Sequence, residues 1–280
     1  MTVLAPRAPR VPRAPQTLQL PTRRRSLWRP IATVVVTVIV VAAFWSVQIA
    51  WGRLADLPAD IGRYLWLMFS APEWSKLPEA LWQTWRSIEM AWVGTVLGIL
   101  LATPLSLIAA RGFGLVWLRG VLRLVFSVVR AVPELIIAII ILSVTGLTPL
   151  TGALALAVNG IGTLGKWGYE AVEAVPAGPI EAARAAGGST AQVLRWGVWP
   201  QAQPVFLSFW LYRFEINVRS SAVLGLIGVG GIGDMLTSYT QYREWSTVGM
   251  LLIVVIVVTM AIDAVSGMLR RRIMEGPRAR

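Results

Sequence analysis

The stretch Asn159–Gly168, NGIGTLGKWG, gathers residues of the kind that cradle phosphate. Gly160, Gly162 and Gly165 have G-x-G-x-x-G spacing, and Gly160, Gly165 and Lys166 have the G-x-x-x-x-G-K spacing of a P-loop. Glycines let a backbone approach a pyrophosphate closely, and a lysine neutralises it. A second set, Arg213, Asn217 and Ser220, falls at helical spacing on one face and offers a guanidinium, an amide and a hydroxyl to a small oxyanion. Glu89, Arg130, Glu134, Lys166, Glu215, Arg219 and Asp263 are further charges inside apolar stretches. Charge at bilayer depth is costly and marks either a pathway or an ion pair.

The two nucleotide readings fail on context. A dinucleotide fingerprint follows a strand within a βαβ unit, whereas TGALALAVNG, before these glycines, reads as membrane helix. A P-loop needs Ser or Thr after its lysine to hold Mg²⁺, and this chain has Trp167. Glu181 stands about 20 residues on, where a ribose-binding acid would sit, but beyond a proline-glycine break. Gly228, Gly230 and Gly233 repeat the G-x-G-x-x-G spacing, which shows how little the pattern means alone. The first glycine group is expected to permit close helix packing in a bilayer. The second is expected to form irregular backbone between the fifth and sixth helices. Lys166 is left to meet the anion, a lipid headgroup or Glu170.

Composition sets the elements that must position these residues. Of 280 residues, 56% are hydrophobic and 14% charged, with a mean hydropathy of +0.64; soluble domains carry about a quarter charged residues. The formal charge of +12 is mostly arginine near the two ends. That pattern fits cytoplasmic flanks of membrane helices and not a nucleic-acid surface. The chain has no Cys and no His, which excludes disulfides, thiol chemistry, His/Cys zinc sites and a histidine base. Without a G-x-S-x-G or H-E-x-x-H motif, an intramembrane enzyme is disfavoured, and no catalytic, metal or cofactor site is expected.

The pattern predicts an all-α membrane protein with about six transmembrane helices. Residues 1–29 carry Arg7, Arg10, Arg13, Arg23, Arg24, Arg25 and Arg29 among prolines and are expected to be disordered, serving as a topology signal or meeting anionic headgroups. Residues 30–52 form a first transmembrane helix, long enough to span. Residues 53–86 form an extracytoplasmic segment in which IGRYLWLMF reads as interfacial. Residues 87–272 form the core, with apolar stretches near 87–110, 120–145, 149–172, 202–224 and 245–269, and residues 273–280 form a basic tail. Arg111, Arg119 and Arg123 mark the loop after the second helix as cytoplasmic, and both basic ends fall on that same side. Pro133, between Arg130 and Glu134, predicts a kink. Glu215 and Arg219, four apart, are expected to neutralise each other.

The connection Pro176–Gln201 reads as a helix, a break and a helix. Pro179 after Gly178 and Glu181 suit a helix N-terminus, Gly187-Gly188 can end the helix in a left-handed turn, Ser189 with Gln192 has capping-box spacing, and Pro200 starts the next element. A DNA-binding helix-turn-helix is disfavoured, because Arg184 and Arg195 are its only cations.

EAARAAGG followed by GVWP resembles the EAA loop of ABC-importer permeases: Glu181, Ala182, Ala183, Gly187 and Pro200 match, while Gly197 and Trp199 depart from its apolar residue and leucine. RAVPELIIAIIIL, GTLGKWGYEAVEAVPAGPIEAARAAG and LYRFEINVRSSAVLGLIGVGGIG together resemble the permease of phosphonate-type importers, over about residues 75–272. That resemblance implies a type I ABC-importer permease fold and a homodimer in the bacterial plasma (inner) membrane. It implies two copies of a cytoplasmic ATPase, which bind ATP and Mg²⁺, on the two EAA loops, and an extracytoplasmic binding protein that delivers phosphonate, phosphite or phosphate. Glu181, Ala182, Ala183, Gly187 and Gly188 are then the ATPase-coupling positions. Arg213, Asn217, Arg219, Ser220 and Lys166 are the candidate substrate pathway, with snorkelling or structural pairing as the other reading. An ion-gradient-driven secondary transporter would call for an inverted repeat, and none is evident.

Overall fold

The computed structural model describes residues 28–47 and 51–275. Every regular element among them is helical. The basic tail lies outside the described residues except for Trp28 and Arg29, as do residues 276–280 of the C-terminal tail. The chain divides into two units, Met1–Pro58 and Ala59–Arg280. In the first, α1 (Trp28–Ser46) is apolar all round and has no buried residue, as expected of a helix facing lipid. α2 (Trp51–Phe69) runs across the division; the segment read as interfacial is its C-terminal half.

In the second unit, α3 (Leu77–Ala109) starts after a single 3₁₀ turn, with Pro78 and Glu79 in its first turn, where a missing N–H costs nothing and a carboxylate meets the positive end of the dipole. α4 (Val116–Ala131) and α5 (Glu134–Thr145) meet at Pro133 with a bend of 94°. The expected kink is therefore a full break: proline cannot continue the α4 ladder, but it serves as the N-cap of α5. α6 (Pro149–Glu173) is capped by the Thr148 hydroxyl on the Thr151 N–H. After α7 (Ala177–Ala185) and α8 (Thr190–Gln192), α9 (Trp199–Gly225), α10 (Ile232–Gln241) and α11 (Trp245–Glu275) complete the unit.

Among the described residues three helical segments, Trp28–Ser46, Trp74–Ala109 and Trp245–Met274, are long and apolar enough to cross a membrane, and the α4–α5 pair makes a fourth if counted as one span. α6 and α9, with 25 and 27 residues, have the length but carry charge in their interiors. The six apolar stretches of the sequence thus lie on α1, α3, the α4–α5 pair, α6, α9 and α11.

α6 is the centre, packed against α3, α4, α5 and α9. Its residues explain how. With no hydrophobic drive between helices in lipid, packing relies on small residues that let backbones approach, and the NGIGTLGKWG glycines do this. Gly160 faces Gly98 of α3; a Cβ on Gly162 would lie 3.1 Å from the α4 backbone at Phe126 and Arg130; one on Gly165 would lie 2.5 Å from the Phe126 ring; one on Gly168 would lie 2.5 Å from the Ser106 hydroxyl. The second glycine group matches its expectation of irregular backbone in part: Gly228 and Gly230, with Gly231 beside them, have positive φ between α9 and α10, whereas Gly233 lies in the first turn of α10. The Ser87 hydroxyl accepts the Ile232 N–H at 3.0 Å there, which ties the turn to α3. The outward faces remain apolar, with Leu124, Ile140, Val257 and Met260 exposed.

Gly165→Ala is expected to lower stability by about 1–3 kcal/mol, because its Cβ overlaps a ring that is fully enclosed. Gly120→Ala, whose Cβ meets nothing within 4 Å, is expected to be neutral or stabilising. Thermal unfolding of the purified protein in detergent reads both.

Candidate functional site

Two groups of residues stand out, one on the connection between α6 and α9 and one inside the helix bundle. On the connection, α7 (Ala177–Ala185) begins with Pro176 as its N-cap, earlier than the sequence reading placed it, so Pro179 is its third residue and Glu181 falls beyond the first turn. Gly187 closes it with φ +77°, donating to the Arg184 carbonyl at 2.9 Å, while the Gly188 N–H reaches the Ala183 carbonyl at 3.1 Å. This left-handed turn satisfies carbonyls that the helix end would leave bare. α8 (Thr190–Gln192) starts with the expected capping box: Ser189 N–H donates to Gln192 Oε1 at 2.7 Å and Gln192 N–H to Ser189 Oγ at 3.4 Å.

The turns that follow, Val193–Val198, widen into a π-helix rather than continuing as an ordinary helix. They carry Gly197 against α7, where a Cβ would lie 3.0 Å from the Pro179 carbonyl and 3.3 Å from Ile180 Cα. The departure from the apolar residue expected at 197 thus has a steric cause: backbone fills that place. Ile180 and Leu194 pack on the buried set Val172, Val198, Ala202 and Phe206, leaving Glu181 and Ala182 exposed and Ala183 half-buried. Among the described residues Glu181 makes no ion pair.

A brace beneath this connection escaped the sequence reading. Glu173, the last residue of α6, accepts the Arg111 N–H at 2.8 Å and pairs with Arg123. Arg123 also donates to the Ala109 carbonyl at 2.9 and 3.0 Å and lies 4.2 Å over the Tyr169 ring. Arg111 and Arg123 had signalled only topology; an acid placed just before the loop was the available clue.

Inside the bundle, Arg213 is 3% exposed. One terminal nitrogen, Nη2, donates to Asn159 Oδ1 at 2.8 Å and to the Leu156 carbonyl at 3.4 Å, and stands 3.9 Å from Glu134 Oε2. Arg213 Nε and Glu134 Oε1 are buried without a hydrogen-bond partner. Asn217 donates to the Thr95 hydroxyl at 2.8 Å, and its Oδ1 is likewise unpartnered. Ser220, half-buried, neighbours Glu134. The expected face of Arg213, Asn217 and Ser220 therefore exists, and it is completed by Glu134 and Asn159. Asn159 was quoted in the motif but given no role; a lone amide within an apolar helix was its signal.

Arg219 and Lys166 stand outside this group. Lys166 lies 3.6 Å from Glu170, a turn along α6. Arg219 donates to both Asp263 oxygens at 2.6 and 2.7 Å and lines a separate cavity of about 250 Å³ with Thr84 and Ser87. The expected Glu215–Arg219 pairing does not form. Glu215 instead accepts from Arg270 at 2.6 Å. α11 runs alongside α9 with Asp263 and Arg270 two turns apart, so Arg219 and Glu215 each find a partner across the interface.

The family described as "Binding-protein-dependent transport system inner membrane component" matches residues 94–275. The chain is 37% identical over 193 residues to the phosphate-import permease protein PhnE of Mycolicibacterium smegmatis, covering 68% of this chain and 36% of that protein. It is 34% identical over 253 residues to the putative phosphite transport system permease protein HtxC of Stutzerimonas stutzeri, covering 89% of each. It is also 34% identical to that organism's phosphite transport system permease protein PtxC, over 66% of this chain and 68% of that one. In three dimensions it resembles the MetNI methionine ABC transporter in inward-facing conformations, with a TM-score of 0.64 at 19% identity, over 72% of this chain and 99% of that one. That likeness concerns the fold.

The two α9–α11 pairs should differ in weight. Arg270→Ala leaves Glu215, 5% exposed, as an unpaired buried acid and should cost about 3–5 kcal/mol, with Glu215→Gln in the same chain restoring most of it. Arg219→Ala breaks an exposed pair and should cost under about 1 kcal/mol. Thermal unfolding of the three variants checks the order.

Proposed function

The chain belongs to the family of binding-protein-dependent transport system inner membrane components, and we propose that it is the permease subunit of an ATP-driven importer for a small phosphorus oxyanion: phosphonate, phosphite or phosphate. The observation that carries this reading is α7. It is a short helix held between a proline N-cap and a left-handed Gly187, and it offers Glu181 and Ala182 outward with small residues around them. Such a helix suits a cleft in a separate protein, because a partner backbone can approach it closely. The occupant is a cytoplasmic ATPase, which holds ATP and Mg²⁺ itself; Glu181, Ala182, Ala183, Gly187 and Gly188 form the coupling surface.

The substrate class rests on relatives named for phosphate and phosphite transport at 34–37% identity and on the buried cation Arg213. Residues 87–272 form the translocating core. Two copies of the chain, two of the ATPase and an extracytoplasmic binding protein make the working importer, with both termini on the cytoplasmic side of the bacterial plasma membrane. Arg213, Asn217 and Ser220 line the route. Lys166 and Arg219, engaged with Glu170 and Asp263, serve the structure or the mouth of the route.

Gly187→Val forces a β-branched residue into a left-handed conformation that costs roughly 1–2 kcal/mol. It should reduce co-purification of the ATPase while the permease level in the membrane holds. Arg213→Ala should cut binding-protein-dependent uptake at least tenfold, as the loss of a charged hydrogen bond worth roughly 1.5–3 kcal/mol implies. Uptake that survives Arg213→Ala, or that runs on an ion gradient with the ATPase absent, contradicts the reading.

A further inference from the structure

We propose that Arg213 and Glu134 together select tetrahedral oxyanions that retain one proton: an anionic oxygen accepts from Arg213 Nε, and the P–OH donates to Glu134 Oε1. This deepens, and rests on, the reading of Arg213 as part of the translocation route.

The inference starts from two atoms left over. Arg213 directs Nη2 at Asn159, Leu156 and Glu134, which leaves its Nε–H buried and unpartnered. Glu134 turns Oε2 toward Arg213, which leaves Oε1 buried and unpartnered. An orphaned buried donor and an orphaned buried acceptor each carry the full cost of desolvation. The guanidinium has only donors and the paired carboxylate only acceptors, so one ligand settles both if it carries an acceptor and a donor close together. Monoprotonated phosphate and the phosphonate monoanion have both on one phosphorus centre.

Sulfate has the same tetrahedral shape but no proton at neutral pH. It can accept from Nε, but it sets oxygen against oxygen at Glu134. Discrimination then comes from an unpaired buried acceptor, the device by which a polar site rejects an analogue lacking one hydrogen. Glu134 has a purpose here that a lone anion trap would not give it: a carboxylate beside the cation weakens attraction for every anion and spares only the one that hydrogen-bonds to it.

The unpartnered edge of Nε lies against Gly160. A Cβ there would sit 3.6 Å from Nε and 3.7 Å from Gly98 Cα, both ordinary contacts. Alanine therefore fits the helix seam but covers the free edge of the guanidinium. Gly98 offers a control on the same seam: its Cβ would meet the Ala157 carbonyl at 3.5 Å and Gly160 Cα at 3.7 Å, and its three nearest atoms are all backbone of α6 rather than Arg213.

The test uses the full chain purified with its ATPase in detergent, titrated with inorganic phosphate and with sulfate, and read by thermal stabilisation. The expected result is a half-saturating phosphate concentration at least about tenfold below that of sulfate. Gly160→Ala should remove the phosphate response without lowering the ligand-free transition, and Gly98→Ala should retain it. Glu134→Gln, whose amide both donates and accepts, should bring phosphate and sulfate together. Equal responses to the two anions in the unsubstituted chain, no response to saturating phosphate, or a phosphate response that survives Gly160→Ala would overturn the proposal. The pathway reading fails separately, by unchanged uptake in Arg213→Ala; loss of that uptake together with equal anion responses would sink the selectivity proposal alone.

Discussion

The bundle is arranged around one constraint: a guanidinium, Arg213, enclosed at 3% exposure among apolar helices. A charge in that setting needs partners, and its neighbours are placed to supply them. The break at Pro133 ends α4 and opens α5 with Glu134, so the acid reaches the cation from a helix N-terminus. α6 supplies the Asn159 amide and the Leu156 carbonyl. Gly160, one residue on, keeps side-chain atoms away from Nε. Had α4 and α5 been one straight helix, Glu134 would not be carried to Arg213.

Two of the helices that hold this group, α6 and α9, also flank the connection that carries α7. From Asn159, α6 runs to Glu173, where Arg111 and Arg123 brace it against the ends of α3 and α4. At about 1.5 Å per residue, that distance is on the order of 20 Å. From Trp199, α9 returns to Arg213 and Asn217. α7 is thus joined to both walls of the polar group through continuous helix, and the Glu173 brace joins α4 to the same end of α6. Gly197 against the α7 backbone and the π-helical turns beside it make the first link of that train a backbone contact, which side-chain rearrangement cannot loosen.

Much of this was legible in the chain. Apolar stretches, prolines and basic loops located the helices, and the capping signals at Ser189, Gln192 and Gly187 foretold the shape of the connection between α6 and α9, because caps are local chemistry. The glycines at 160, 162 and 165 were read as packing residues once their membrane context was clear, and the structure shows which neighbour each admits. Pairing across helices was not legible. Glu215 and Arg219 had the right spacing to meet, but spacing says nothing of what α11 brings alongside, and Asp263 and Arg270 take them. Glu134 was noted for its distance from Arg130, whereas its partner lies on α9. The π-helical turns left no signal beyond Gly197, whose meaning depends on a contact that forms only after folding.

The account stands or falls on contact between Arg213 and the translocated anion. The direct measurement is the dipolar coupling between phosphorus-31 of a bound phosphonate and nitrogen-15 at arginine Nε, in the importer reconstituted in lipid with its ATPase and binding protein and trapped in mid-cycle. A short-range coupling in the unsubstituted chain that vanishes in Arg213→Lys is the predicted result. An identical coupling in both chains, or none in either with substrate bound, would contradict it.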